Sequence, residues 1–297
     1  MTAAVLTAAH DTTIRDYVDL LKPKVMSLVV FTGLIGMWVA PGAIHPLLGF
    51  VAITALAINA GAAGAINCWI DRDIDAKMAR TANRPIPAGR VSPDEALAFG
   101  VVLTCLSVLV MALATNFVAA GLLAFANFFY SVIYSIWLKR STDQNIVIGG
   151  AAGAFPPMIG WACVTGTVDW QSAWMFALIF FWTPPHFWAL SLWTSADYAR
   201  VGVPMLPVTR GENVTRKAIF WTSLPLLGLA VLPTIMGWLS PVFGVAATLL
   251  TAIYVLSCWK VMGEENGQFK QARLSFGFSV LWLFAMFLGV LLDHASF

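Results

Sequence analysis

Asn67, Asp71 and Asp75 lie in the run Asn67-Cys-Trp-Ile-Asp71-Arg-Asp-Ile-Asp75, where a long apolar stretch ends. Spacings of four and four place all three on one face of a helix that continues through the segment. Two carboxylates one turn apart, beneath an amide, are hard oxygen donors of the kind Mg²⁺ takes while also holding a substrate phosphate. Five basic residues follow: Arg72, Lys77, Arg80, Arg84 and Arg90. Acid for a cation beside base for an anion points to a diphosphate site at a membrane surface. Asp73 projects off the shared face and reads as a loop charge. The sequel Arg80-Thr-Ala-Asn-Arg84-Pro-Ile-Pro-Ala-Gly-Arg90 is stiffened by proline, and its arginines suit bidentate bonding to phosphate oxygens.

A second acidic segment, Asp197-Tyr198-Ala-Arg200, is weaker. Asp197 and Arg200 read either as an interfacial ion pair or as a further cation or phosphate contact. Lys139 and Arg140 read as topology anchors or as further phosphate partners. His186 follows the pair Pro184-Pro185 inside an apolar run. It has three readings: a hydrogen-bonded core residue, an axial ligand to a bound haem, or a base near a reacting carbon.

The elements that must position these residues are membrane helices. The chain has 297 residues, 59% of them hydrophobic and only 11% charged, and its mean hydropathy is +0.80. Ordinary soluble domains carry about 25% charged residues. Apolar runs long enough to cross a bilayer recur along the whole length, so the expected fold is all-α and polytopic. Nine spans are expected, at 25–42, 46–70, 94–114, 117–137, 144–165, 171–193, 218–238, 241–261 and 274–292. With nine, all 17 Lys and Arg residues fall on one side. The positive-inside rule then places the N-terminus and the two long loops, 71–93 and 194–217, in the cytoplasm and the C-terminus opposite. Residues 1–14 have neither a basic start nor a continuous apolar core, so they do not read as a cleaved leader.

The two long loops follow spans 2 and 6, and each opens on acid and continues with base. Spans 1–4 and 5–8 share an orientation, so the expected organisation is a single membrane domain: a parallel repeat of four plus four helices and one extra, with the acidic loops face to face. Gly61, Gly64, Gly149, Gly150 and Gly153 read as close helix contacts. Pro156-Pro157 and Pro184-Pro185 free backbone carbonyls inside spans and point to a central cavity. Asn127, Tyr130 and Tyr134 either line that cavity or bond neighbouring helices. Trp38, Trp137, Trp170, Trp238 and Trp259 read as interfacial anchors. The four cysteines have no metal-site spacing and read as packing residues.

Together these motifs resemble the UbiA superfamily of intramembrane prenyltransferases, and within it the branch that farnesylates haem. The resemblance rests on Lys22-Pro-Lys24-Val-Met, Asn67-x3-Asp71-x3-Asp75 and Arg80-Thr-Ala-Asn83-Arg84-Pro-Ile-Pro-Ala-Gly-Arg90-Val. It continues through Asn145-Ile-Val-Ile-Gly-Gly, Trp182-Thr-Pro-Pro-His186-Phe-Trp, and Asp197-Tyr198 with Gly202-Val-Pro-Met-Leu-Pro207. Many superfamily members have a second aspartate four residues after the one matching Asp197; here that position is Val201, as in the haem-modifying branch.

The resemblance implies that farnesyl diphosphate binds through Mg²⁺ at Asp71 and Asp75, with Asp197 a further metal contact and Asn67 and Arg84 catalytic. It extends substrate contact to Arg80, Asn83, Arg90, Lys139, Arg140, Asn145, His186, Tyr198 and Arg200. A vinyl group of haem B then takes the farnesyl group and water adds, giving haem O. Haem is here a substrate and not a resident cofactor. A bacterial inner membrane and, as receivers of the product, haem A synthase or oxidase assembly factors are also implied; nucleic acid is not. Two other readings stand beside this one: prenylation of an aromatic acceptor, and an ion-coupled transporter, whose charges would sit nearer the bilayer midplane.

Overall fold

The computed structural model describes residues 12–295, and the stretch 1–11, on which the reading of the leader bears, lies outside the described residues. The fold is helical, with no strand among the described residues. A short α1 (Ile14–Leu20) precedes α2 (Pro23–Trp38) and α3 (Pro46–Ile70), and the single turn α4 (Arg72–Asp75) follows. Next come α5 (Pro93–Ala114) and α6 (Phe117–Phe128), the latter running through a π-helical segment, Phe129–Leu138, into α7 (Lys139–Ser141). The second half holds α8 (Asn145–Thr165), α9 (Trp170–Trp193), α10 (Ser195–Arg200) and α11 (Leu206–Thr209). It closes with α12 (Gly211–Ser223), α13 (Pro225–Ile235), α14 (Pro241–Met262) and α15 (Lys270–Ala295).

Among the described residues, eight helical stretches are long and apolar enough to cross a membrane, and the first expected span is shorter. Its helix α2 has 16 residues and stops at Trp38, not 42. Pro41 disfavours helix at the residue before it, and Gly42 takes a positive φ of 119°. Even so, the segment from Lys22 to Gly42 reaches both ends of the bundle. Lys22 before α2 bonds Asn67 at one end, and Gly42 beyond α2 packs against Val164 at the other. Span 7 begins earlier than expected, at Gly211, and Pro225 divides it into α12 and α13. Much of the expected loop 194–217 is therefore helical.

The two ends of the bundle differ in chemistry. At one, Lys22–Asn67, Arg140–Asp73, Arg80–Tyr198, Arg210–Asp143 and Arg216–Glu264 join successive loops. At the other, Asn116 bonds the Ala162 carbonyl, Ser240 bonds Asp293, and Trp161, Trp170 and Trp174 gather edge-on around Trp238. That gathering makes Trp238 a packing residue as much as an anchor, whereas Trp38, Trp137 and Trp259 are exposed as anchors should be.

Packing is tightest where α2 crosses α8. A Cβ on Gly36 would lie 2.1 Å from the Pro157 carbonyl oxygen, and one on Gly160 would lie 1.9 Å from the Gly33 carbonyl oxygen. Backbone meets backbone there, as small residues permit in membrane bundles. Gly61, Gly64, Gly149 and Gly150 also meet neighbours closely, at Leu21, Leu20, Tyr134 and Thr183. Gly153 does not: nothing lies within 4 Å of where its Cβ would be.

Arg216 is 1% exposed and reads in sequence only as one more basic residue of a loop. Its Nη1 donates to Glu264 (2.9 Å), and its Nη2 donates to Glu212 (3.1 Å) and to the carbonyls of Glu265 and Gln268. Glu264 in turn accepts the Gln271 and Ala272 amides at the start of α15, where helix N-termini favour negative charge. Removing one partner of a buried pair strands the other. Arg216→Met is therefore expected to cost about 3–5 kcal/mol, read as a lower thermal midpoint in detergent, with turnover per folded molecule retained. An unchanged midpoint would remove the clasp from this account.

Candidate active site

Asn67 sits on the last turn of α3, and the helix breaks at Asp71 (φ −91°, ψ 8°). The i, i+4 bonds nonetheless carry across the break: Asp71 N donates to Asn67 O (2.9 Å) and Asp75 N to Asp71 O (2.7 Å). The expected shared face thus survives without a continuous helix. Both carboxylates are buried, Asp71 to 1% and Asp75 to 3% exposure. An ionised carboxylate at that depth must be compensated.

The compensation comes from four elements. Asn67 Nδ2 donates to Asp71 Oδ2 (2.8 Å) and to Ser135 Oγ (3.0 Å) in the π-helical segment. Asn67 Oδ1 accepts from Lys22 Nζ (2.8 Å), held at the start of α2 by a left-handed backbone. Lys139 Nζ donates to Asp71 Oδ2. Arg84 Nη1 donates to Asp75 Oδ2 (2.7 Å), and Thr81 Oγ1 donates to the Asp75 carbonyl (2.9 Å). The π segment matters to this assembly. Ser135 Oγ bonds the Tyr130 carbonyl five residues back, and the Lys139 amide bonds the Tyr134 carbonyl. That wide turn presents Ser135 and Lys139 together to α3; such segments recur at functional sites.

One oxygen is left over. Asp71 Oδ1 is buried and accepts no hydrogen bond, and Arg140 Nη2 is 3.9 Å away. Among buried acceptors an orphan of this kind requires an explanation. A carboxylate oxygen without a donor, beside a second buried carboxylate, suits a divalent cation, so the residues present fit Mg²⁺.

The other expected site residues are distributed differently. Arg80 Nη2 donates to Tyr198 Oη (3.0 Å) with its guanidinium over the ring, so the two long loops do meet. Asp197 pairs with Arg200 on its own short helix at 3.4 Å, and Arg200 is exposed. Among the described residues no three His, Cys, Asp or Glu side chains come together as a metal site. Asp197 therefore does not complete a three-carboxylate set with Asp71 and Asp75. Arg140 spends its fork on Asp73 (2.8 and 2.7 Å), which draws the Asp73 carboxyl down to about 2 and confirms it as a loop charge.

Arg90 is not directed at the acidic pair. Its Nε donates to Asp16 (2.6 Å) and its Nη2 to the Asn83 carbonyl (2.9 Å), tying the loop to α1. Asp16 is held at about 2, first by the Thr13 hydroxyl and then by Arg90. With its value depressed in the fold, that tie is complete above the ordinary carboxylate range and is lost as pH falls through about 2. Asn83 itself is exposed. Asn145 is buried, with its Nδ2 3.5 Å from the Lys139 carbonyl and its Oδ1 unpartnered.

A cavity of about 160 Å³ opens beneath Lys22, between α2, α3, α6 and α8. Its wall is Leu21, Met26, Val29, Leu56, Ala60, Ala63 and Gly64, then Leu123, Ala126, Ala152, Gly153, Pro156 and Ile159, with Asn59, Asn127 and Tyr130. The expected cavity therefore exists, and Asn127 and Tyr130 line it, but of the two proline pairs Pro156 alone is on its wall. His186 is not on its wall. Its ring is stacked between Trp182 and Phe276 (4.2 and 4.5 Å), and Nδ1 meets Ser279 Oγ at 2.6 Å, which is the hydrogen-bonded core arrangement.

Sequence reasoning assigned no role to two members of the site: Lys22 entered only through the motif Lys22-Pro-Lys24-Val-Met, and Ser135 not at all. The signal for Lys22 was its place directly before Pro23; for Ser135 there was none without the π register.

The model of the UbiA prenyltransferase family matches residues 29–292. A protein of Granulibacter bethesdensis called protoheme IX farnesyltransferase is 57% identical over 286 residues, covering 94% of this chain and 90% of its own. One of the same name from Acidiphilium cryptum is 56% identical over 289 residues, with 95% and 91% covered. Among solved structures, a digeranylgeranylglyceryl phosphate synthase superposes with a TM-score of 0.81 at 16% identity, covering 96% of this chain and 99% of that one. A UbiA homologue from Archaeoglobus fulgidus, bound to DMAPP and Mg²⁺, superposes with a TM-score of 0.72 at 17% identity, covering 93% and 99%. The last two likenesses speak for the fold.

Proposed function

The chain belongs to the UbiA prenyltransferase family, and from that premise we propose that it transfers a farnesyl group from farnesyl diphosphate to a vinyl group of haem B, with addition of water, to give haem O. The observation that carries the chemistry is the unpartnered Asp71 Oδ1 beside buried Asp75, ringed by Lys22, Lys139 and Arg84 at the mouth of an apolar cavity. The acceptor is supported by the relatives' shared name at 52–57% identity.

Asp71 and Asp75 would hold Mg²⁺, which supplies positive charge to the leaving diphosphate. Lys139 and Arg84 add cationic donors on the same side, positioned before reaction, where charge builds on the leaving group. Lys22 and Ser135 fix the Asn67 amide and so aim the Asp71 carboxylate. The cavity wall keeps bulk water from the allylic carbon until the new carbon bond forms. Arg80 and Tyr198 join the two long loops, which supports Asp197 and Arg200 as an outer polar edge of the site. The basic end is the cytoplasmic end by the positive-inside rule, with the N-terminus there and the C-terminus opposite, in a bacterial plasma membrane. A haem A synthase or an oxidase assembly factor suits the farnesylated haem as receiver.

Every charged side chain of the spans lies near a span end, which disfavours an ion-coupled transporter with midplane charges. The test is incubation of purified protein with haem B, farnesyl diphosphate and Mg²⁺, followed by mass analysis of the haem. Haem O is the expected product. Unchanged haem alongside prenylation of an offered aromatic acceptor would overturn the acceptor assignment.

A further inference from the structure

The cavity below Lys22 has a definite depth, and its floor is made of packed side chains. Along α3 its wall runs from Gly64 to Leu56, roughly 12 Å of helix, starting one turn below Asn67. Its lower end is Leu56, Leu123 and Ile159, respectively 3%, 1% and 1% exposed, which belong to a dense cluster with Met37, Ala52, Met111, Ala120 and Ala162. Halfway down, small residues hold the space open: Ala60, Ala63, Ala126, Ala152 and Gly153. Gly153 is the telling one, because a side chain there would meet no atom and would project into the void.

The two amides on the wall do not call for water. Asn59 Nδ2 donates to Ser107 Oγ (2.9 Å) and Asn127 Nδ2 to Thr104 Oγ1 (3.0 Å), while Asn127 Oδ1 accepts from Ser131 Oγ (3.0 Å). Their polar atoms are satisfied by α5, α6 and the π segment, so apart from Lys22 and Tyr130 the remaining wall is apolar. An apolar chain entering from the diphosphate site and running down α3 meets buried Leu56, Leu123 and Ile159 at the far end.

We propose that this cavity measures the isoprenoid: Leu56, Leu123 and Ile159 set the greatest chain length accepted, and the missing side chain at Gly153 allows a chain to pass that level. The inference rests on the prenyl-transfer reading and names the specificity determinant of that site. Continuity supports the occupant, since Lys22 both roofs the cavity and bonds Asn67.

The test compares wild type, Gly153→Leu and Leu123→Ala, each with Mg²⁺ and geranyl, farnesyl or geranylgeranyl diphosphate. Binding is measured without haem, and product mass is measured with haem B. Wild type is expected to prefer farnesyl. Gly153→Leu should move the affinity ratio at least about tenfold toward geranyl, and Leu123→Ala about tenfold toward geranylgeranyl, the scale of a few methylenes in an apolar pocket. Both variants keeping the wild-type order, or Gly153→Leu losing all three ligands equally, would overturn the proposal. Wild type that binds the three diphosphates but leaves haem unchanged would instead count against the acceptor reading, with the affinity order still deciding the ruler.

Discussion

Replacing Asp71 by Asn is expected to lower kcat by about 10³-fold, the scale of losing one preorganised electrostatic contact in a closed site. The substitution keeps the shape of the side chain and leaves an oxygen for the Asn67 amide, so the fold should persist. What it removes is charge at the buried Asp71 oxygen without a donor, Oδ1, and the anionic partner of Lys139. Asp75→Asn should behave alike, because Arg84 would lose the carboxylate it pairs with and the pair would lose half its charge. Turnover with farnesyl diphosphate and a thermal midpoint in detergent separate the two effects. Wild-type turnover in either variant would remove the carboxylate pair from the mechanism.

Gly160→Val is expected to abolish the folded protein. A Cβ at 160 would lie 1.9 Å from the Gly33 carbonyl oxygen and 2.8 Å from the Met37 amide nitrogen, both backbone atoms with no rotamer to yield. Helices α2 and α8 would have to separate. The cost exceeds the roughly 1–3 kcal/mol of ordinary overpacking, where side chains can adjust. Because α2 also carries Lys22 and walls the cavity, any surviving fraction should turn over poorly. The loss of a monodisperse peak on size exclusion measures the effect, with Gly153→Ala as the tolerated control. A stable, active Gly160→Val protein would contradict the crossing described here.

Much of this was legible because membrane helices announce themselves. Apolar length gave the spans, and the one-sided distribution of Lys and Arg matched the loops that the structure gathers at one end. The site's heart was legible too, since spacing of four is retained wherever i, i+4 bonds persist, as they do across the break at Asp71. What could not be read was the direction of side chains within a loop. Arg84 and Arg90 look equivalent in sequence, yet one faces Asp75 and the other Asp16. Arg140 was drawn off by Asp73, a neighbour whose projection was predicted but whose appetite for a guanidinium was not.

Gly153 was misjudged for a related reason, while Gly61, Gly64, Gly149 and Gly150 do meet neighbours closely. Gly149, Gly150 and Gly153 look alike in sequence, but three residues of helix turn the last away from Tyr134 and Thr183 into the void. The closest crossing, Gly33 on Gly160 with Gly36 on Pro157, joins helices whose partnership is not encoded by spacing within either one. His186 gave a comparable lesson: aromatic neighbours and a proline pair suit a ligand pocket, but they equally make the stacked slot between Trp182 and Phe276.

The most direct measurement is a structure of the protein with Mn²⁺ in place of Mg²⁺ and a non-hydrolysable farnesyl diphosphate analogue, with the metal located by its anomalous signal. The account predicts a metal peak within coordination distance of Asp71 Oδ1, and the analogue's phosphates between it and Lys139. A peak at the Ser240–Asp293 end of the bundle, or phosphates out of reach of both Asp71 and Asp75, would contradict it.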